Sequence, residues 1–100
     1  MVITETLTFK NSEAEGIMVK APGGEGHPNM ITIVCKKGYL MCGHLHRAAA
    51  ERVGDAGVLV SGSDFTQVLY NPIKGMTSAA AQRGVKEGML GSEVAEILNK

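Results

Sequence analysis

MITIVCKKGYLMCGHL, residues 30–45, is the stretch on which the fold turns. Two apolar runs flank a basic tip, Lys36-Lys37-Gly38, which is the pattern of a β-hairpin. Neither run alternates cleanly, so each strand is apolar on both faces. Such a strand needs cover on two sides, and a chain of 100 residues supplies little of it. The segment therefore points to self-association. It also holds both cysteines and His44, the residues with site chemistry.

The tip sets an expectation for the register. With a three-residue loop and Gly38 in the left-handed position, Cys35 pairs with Tyr39 and Thr32 with Cys42. The cysteines then lie about 10 Å apart along the ladder and on opposite faces. A two-residue loop would put them on one face, still roughly 7 Å apart along it. A disulfide needs close Cα atoms and converging Cβ vectors, so neither register bridges Cys35 to Cys42.

Outward from the hairpin, residues 2–9 set Ile3, Leu7 and Phe9 against Thr4, Thr6 and Thr8, the alternation of a half-buried strand. A polar turn at Asn11-Ser12-Glu13 leads to a second strand over residues 16–21, where Ile17-Met18-Val19 is apolar on both faces. The glycine-rich loop APGGEGHP, residues 21–28, reads as a connector. Phosphate-binding loops feed a helix, and this one feeds a strand.

After the hairpin the period becomes helical. Arg47–Val53 reads as a helix stopped by Gly54, and Ala56–Ser61 as a short buried strand. Ser63 is placed to cap a turn through Tyr70, Thr77 to cap Ser78–Arg83, and Ser92 to cap a last helix carrying Val94, Ile97 and Leu98. These elements give a single α+β domain over residues 1–100. Residues 1–45 are mainly β and serve oligomerisation; residues 46–100 are mainly helical with one strand. The sheet is mixed and mainly antiparallel, with an N-terminal β region and short C-terminal helices on one face.

Ten basic and ten acidic residues balance and form no stripe, and four aromatics offer no stacking platform, which excludes a nucleic-acid binder. No run approaches the ~20 apolar residues of a membrane span, and the N-terminus does not resemble a signal peptide. A soluble, cytoplasmic protein is expected. Two cysteines make no disulfide framework, and the six methionines read as core filling.

Two blocks, GYLMCG at 38–43 and GVKEGMLGSEVAEIL at 84–98, with GDAGVLVSG between them, resemble the YunC-like family, a bacterial and archaeal domain of unknown function. The resemblance runs from about Met30 to Leu98. It implies an α+β fold whose N-terminal β region mediates tetramerisation. The matching positions include Gly38, Tyr39, Met41, Cys42, Gly43, Gly54, Asp55, Gly84, Lys86, Gly88, Met89 and Gly91. His44 and His46 stand outside the pattern. The resemblance implies no activity and no cofactor.

Cys42 is the best candidate for catalysis, because a helix N-terminus or His44 could stabilise its thiolate. A small buried thiol packed in a sheet is the commoner arrangement. Tyr39, Cys42, Gly43 and His44 form the candidate ligand-binding set. Cys42, His44 and His46 alternate, but strand geometry brings only two of them together, so no metal site is expected. Asp55 reads as a turn residue, with general base as the alternative. Two functions follow: a homo-oligomeric ligand-binding or accessory domain, with a tetramer the expected state, or a small cysteine-dependent enzyme or redox protein using Cys42.

Overall fold

The structure, a computed structural model, describes residues 1–9, 12–26, 28–42 and 47–100. Asn11, His27, Gly43, His44 and His46 lie outside the described residues, and so do the readings that rest on them. Six strands form one sheet in the order of the chain: β1 (Val2–Phe9), β2 (Ser12–Val19), β3 (Met30–Val34), β4 (Tyr39–Met41), β5 (Gly57–Val60) and β6 (Ile73–Met76). All neighbours are antiparallel except β4 and β5, which run parallel because α1 (Arg47–Val53) separates them. The other helices are α2 (Phe65–Tyr70), α3 (Ser78–Gln82) and α4 (Gly91–Leu98). The fold is therefore α+β with a mixed, mainly antiparallel sheet.

Period-two alternation explains the layers. Leu7, Phe9, Ala14, Met18, Ile31, Ile33, Cys35, Leu40, Cys42, Val58 and Val60 fall on one face and are buried. Residues Phe65, Val68 and Leu69 of α2 and Val94, Ala95 and Leu98 of α4 complete that core. The Phe65 ring lies over Gly16, where a Cβ would meet it at 2.7 Å. On the opposite face of β1–β3, Thr4, Thr6, Thr8, Glu13 and Glu15 are exposed, while Ile17, Val19, Met30 and Thr32 are half-buried.

Helix ends follow local chemistry, with two corrections. Gly54 and Gly84 take φ of 79° and 105° and stop α1 and α3 where expected. Thr77 caps α3 by accepting the Ala80 N–H. The cap of α2 is Asp64, not Ser63: its carboxylate accepts the Gln67 N–H at 2.8 Å, and the Ser63 hydroxyl donates to the Gln67 side chain instead. In α4 the cap position is Leu90, whose N–H donates to Glu93 at 2.9 Å, and Ser92 lies inside the first turn. The helix starts early because Gly91 packs directly on the Val68 carbonyl of α2, an approach that no side chain allows.

The N-terminal strands also differ from the sequence reading. Strand β2 begins at Ser12, so residues read as a turn extend the ladder, with Phe9 opposite Ser12. Strand β6 has no period-two signal in Ile-Lys-Gly-Met. It forms because β5 offers it an edge, with a bulge between Leu59 and Val60.

The hairpin register is corrected as well. Val34 pairs with Tyr39, Ile33 with Leu40 and Thr32 with Met41, leaving a two-residue tip at Lys36-Lys37. The Cys35 N–H donates to the Gly38 carbonyl at 2.8 Å. The end of α4 grips this tip: the Lys37 N–H donates to the Leu98 carbonyl at 2.8 Å and the Lys36 N–H to Asn99 Oδ1 at 2.9 Å. Gly38 is needed for space and not for a left-handed turn, since a Cβ there would strike the Ala56 carbonyl.

The contact at Gly91 gives a direct test. Gly91→Ala should destabilise the fold by about 1–3 kcal/mol, because the new methyl meets main chain, which cannot swing aside. Chemical denaturation is the measurement.

Candidate functional site

Cys42 follows β4, and the strand pairing fixes its surroundings. Its N–H donates to the Ile31 carbonyl at 3.1 Å, while Sγ accepts the Ile31 N–H at 3.2 Å and donates to the Asn29 carbonyl at 3.6 Å. The residue is 4% exposed. The thiol thus serves as a ladder partner inside the core, with its donor and an acceptor position both in use. That is the geometry of a structural cysteine, and it gives the cysteine-enzyme reading no support.

The corrected register also relocates Cys35. It shares the buried face with Cys42 and does not point away from it, and the two stand four residues apart along the ladder, about 13 Å at strand rise. They are not joined in a disulfide. Burial pushes the Cys35 thiol up to about 11. Among the described residues, no three His, Cys, Asp or Glu side chains stand together as a metal site.

Of the candidate ligand-binding residues, Tyr39 has the clearest polar geometry. It lies on the outer face of β4, beside Gly57 of β5, whose Cβ position is 3.2 Å from the Tyr39 ring. The Tyr39 hydroxyl donates to Asp55 Oδ2 at 2.9 Å. Burial, then the hydrogen bond and charge of Asp55, hold this phenol protonated above its usual range. Asp55 is therefore more than a turn residue. It closes α1, through its N–H to the Ala50 carbonyl at 3.0 Å, and it orients the tyrosine.

Three further residues tie the surrounding elements together, and sequence reasoning assigned none of these roles. Thr77, 1% exposed, donates its hydroxyl to the Asp55 carbonyl at 2.6 Å and accepts the Gly57 N–H at 3.1 Å. Its helix cap was legible in the sequence, but these partners, about twenty residues away, were not. Asn29 accepts the Ala21 N–H at 3.0 Å and donates to the Ser63 carbonyl at 3.0 Å, tying the β2–β3 connection to the β5–α2 connection. Glu51 of α1 accepts the Ser78 N–H at 3.0 Å and so links α1 to α3.

What the arrangement offers chemically is modest. Asp55 is an acceptor, and Tyr39 is a phenol whose proton is already engaged. Together they can receive a ligand's donor groups. Nothing in the pair activates a nucleophile.

A small α+β domain with its strands in sequential order, stabilised by a buried thiol and a Tyr–Asp corner, is the class that emerges. The chain belongs to the family described as domain of unknown function DUF1805, whose model matches residues 41–98; this is the YunC-like family of the resemblance above. Among solved structures the fold is similar to that of a protein of unknown function, TA1206, from Thermoplasma acidophilum. The two share 22% sequence identity at a TM-score of 0.86, over 98% of this chain and 93% of the other. No curated protein matches the chain.

Two measurements test the site. Both thiols should react with an aromatic disulfide reagent far more slowly in the folded protein than in denaturant, as burial requires. The raised Cys35 value also sets a pH window. The unfolded thiol loses its proton first, near 9.0, so this contribution to stability is complete below that pH and disappears as the pH rises towards about 11. Denaturant midpoints should fall across that window, and less steeply in Cys35→Ala.

Proposed function

We propose that the protein works as a homo-oligomeric accessory or ligand-binding domain, assembled as a tetramer through its N-terminal sheet. One observation carries the reading: the outer face of β1–β4 presents apolar side chains among threonines and two glutamates, and the core helices do not cover it. The register aligns Val2, Val19 and Met30 in one row across the strands, Thr4, Ile17, Thr32 and Met41 in the next, and Thr6, Glu15, Val34 and Tyr39 in a third. Val2 is 63% and Val34 41% exposed, and the core helices α2 and α4 pack on the other face. Apolar side chains left on an uncovered sheet face are costly in water and favour a covering partner.

A second copy of the chain is the occupant that fits best. The formal net charge is zero, so copies do not repel one another at long range. Threonines interleave with the apolar residues of the face and tolerate contact with their own kind. The family resemblance, with its N-terminal tetramerisation region, supports the same surface. A chain stacked here would reach Tyr39 and Asp55 at the margin of the contact, making a site whose hydrogen-bond acceptors are completed by assembly.

Light scattering at micromolar concentration should return about four times the chain mass of 10.5 kDa. Ile17→Asp places a charge in the middle of the face without touching the core, and it should shift the mass to a smaller species while leaving the circular dichroism spectrum unchanged. A wild-type protein that stays at the mass of one chain would overturn the proposal.

A further inference from the structure

Donors and acceptors are out of balance at the Tyr39–Asp55 corner, and the imbalance selects what can bind there. The main-chain N–H groups of Tyr39, Asp55, Gly57 and Thr77 are already used. Tyr39 donates to the Ala56 carbonyl at 3.0 Å, Asp55 to the Ala50 carbonyl at 3.0 Å, Gly57 to Thr77 Oγ1 at 3.1 Å and Thr77 to the Gly57 carbonyl at 3.0 Å. The two hydroxyls are used as well. Tyr39 gives its proton to Asp55 Oδ2 at 2.9 Å, and Thr77 gives its proton to the Asp55 carbonyl at 2.6 Å. What remains is acceptors: the lone pairs of the Tyr39 oxygen and of the Asp55 carboxylate.

The same corner is short of positive charge. Among the described residues, the Asp55 carboxylate takes its hydrogen bond from Tyr39 and pairs with no lysine or arginine. Asp55 is half-buried, so water solvates its charge only in part. The carbonyl end of α1 lies beside it, where the Glu51 and Ala50 carbonyls accept the Gly54 and Asp55 N–H groups, and adds partial negative charge. Burial, then the hydrogen bond and charge of Asp55, keep the phenol protonated, so its proton stays engaged and is not offered to a ligand.

We propose that the corner binds the primary ammonium group of a small aliphatic amine, whose N–H donors are shared between the Asp55 carboxylate and the Tyr39 oxygen. The inference rests on the reading that the protein is a ligand-binding domain, and it names the ligand class. Other ligands fit worse. An anion meets acceptors and negative charge. A divalent metal asks for several anionic oxygens, and here one carboxylate stands beside a protonated phenol. A guanidinium pairs best as a fork on two free carboxylate oxygens, and Tyr39 already occupies one of them. A quaternary ammonium has no N–H to give. A primary ammonium is a compact charge with rotatable donors, which suits unlike acceptors around one point. The Tyr39 ring lies against Gly57, where a Cβ would come within 3.2 Å of it, so the phenol oxygen is held in place beside the carboxylate.

Tyrosine ring NMR signals read the corner directly, with Tyr70, 57% exposed, as the internal reference. Ethylammonium chloride should shift the Tyr39 signals to saturation and leave those of Tyr70 in place. Tetramethylammonium chloride and sodium acetate at equal ionic strength should give no saturating shift. Asp55→Asn keeps an acceptor for the Tyr39 hydroxyl but removes the charge, and it should weaken ethylammonium binding about tenfold or more. Tyr39→Phe keeps the ring and the carboxylate, and should weaken binding about threefold, read at the Gly57 amide. No saturating Tyr39 shift with ethylammonium would overturn the site, whether or not the protein assembles. An equal response to tetramethylammonium would overturn the role given to the N–H donors, and unchanged binding in both variants would place the amine elsewhere and overturn the proposal. A protein that stays at the mass of one chain and still binds ethylammonium at Tyr39 would remove the tetramer and leave this site standing.

Discussion

The seating of α4 on the sheet is the constraint on which the other contacts depend. Two missing side chains make it possible: Gly91 lets the helix start against the Val68 carbonyl, and Gly38 lets the hairpin pass the Ala56 carbonyl and come close to Leu98. Once seated, α4 covers Leu40 and buries Val94, Ala95 and Leu98. Its last turn then holds the N-terminal hairpins. Leu98 and Asn99 accept the two amides of the β3–β4 tip, and the Asn99 side chain donates to the Glu13 carbonyl at 2.9 Å. The end of the chain thereby fixes the register of strands formed by its beginning.

That arrangement divides the sheet unequally. Helices α2 and α4 bury the inner face, but eight helical residues in one and six in the other span only part of its width. The outer face of β1–β3 keeps its apolar side chains and β1 keeps its unpaired edge. Both follow from one shortage: a small chain with many alanines and glycines has too little side-chain volume to wrap a six-stranded sheet. The proposed assembly would continue core formation across copies and would not be a feature laid over it.

The same economy explains the cysteines. A thiol is small, weakly polar and able both to donate and to accept, so Cys42 fits where the β3–β4 ladder ends and a backbone N–H and a carbonyl still need partners. Cys35 is buried near the other end of the hairpin, where its raised value reflects only the apolar surroundings. Polar chemistry is displaced to the Tyr39–Asp55 corner, where the parallel β4–β5 pair brings the start of one strand beside the end of α1.

Much of the architecture was legible in the sequence, and the reason is locality. The Ile3–Leu7–Phe9 alternation gave β1, the glycines at 54 and 84 ended their helices, and the i, i+3, i+4 spacing of Val94, Ile97 and Leu98 gave α4. The blocks around Tyr39 and Gly84 identified the family. Each signal lies within a few residues and acts through backbone preference or side-chain periodicity. The tertiary structure alone decided the Lys36-Lys37 tip, the existence of β6, the engagement of the Cys42 thiol and the pairing of Tyr39 with Asp55. Those depend on groups that meet only after the chain has closed, Asn99 on Glu13 being the farthest apart in sequence. A register is chosen by whichever alignment satisfies the buried polar groups on every side, and no local stretch of sequence carries that information.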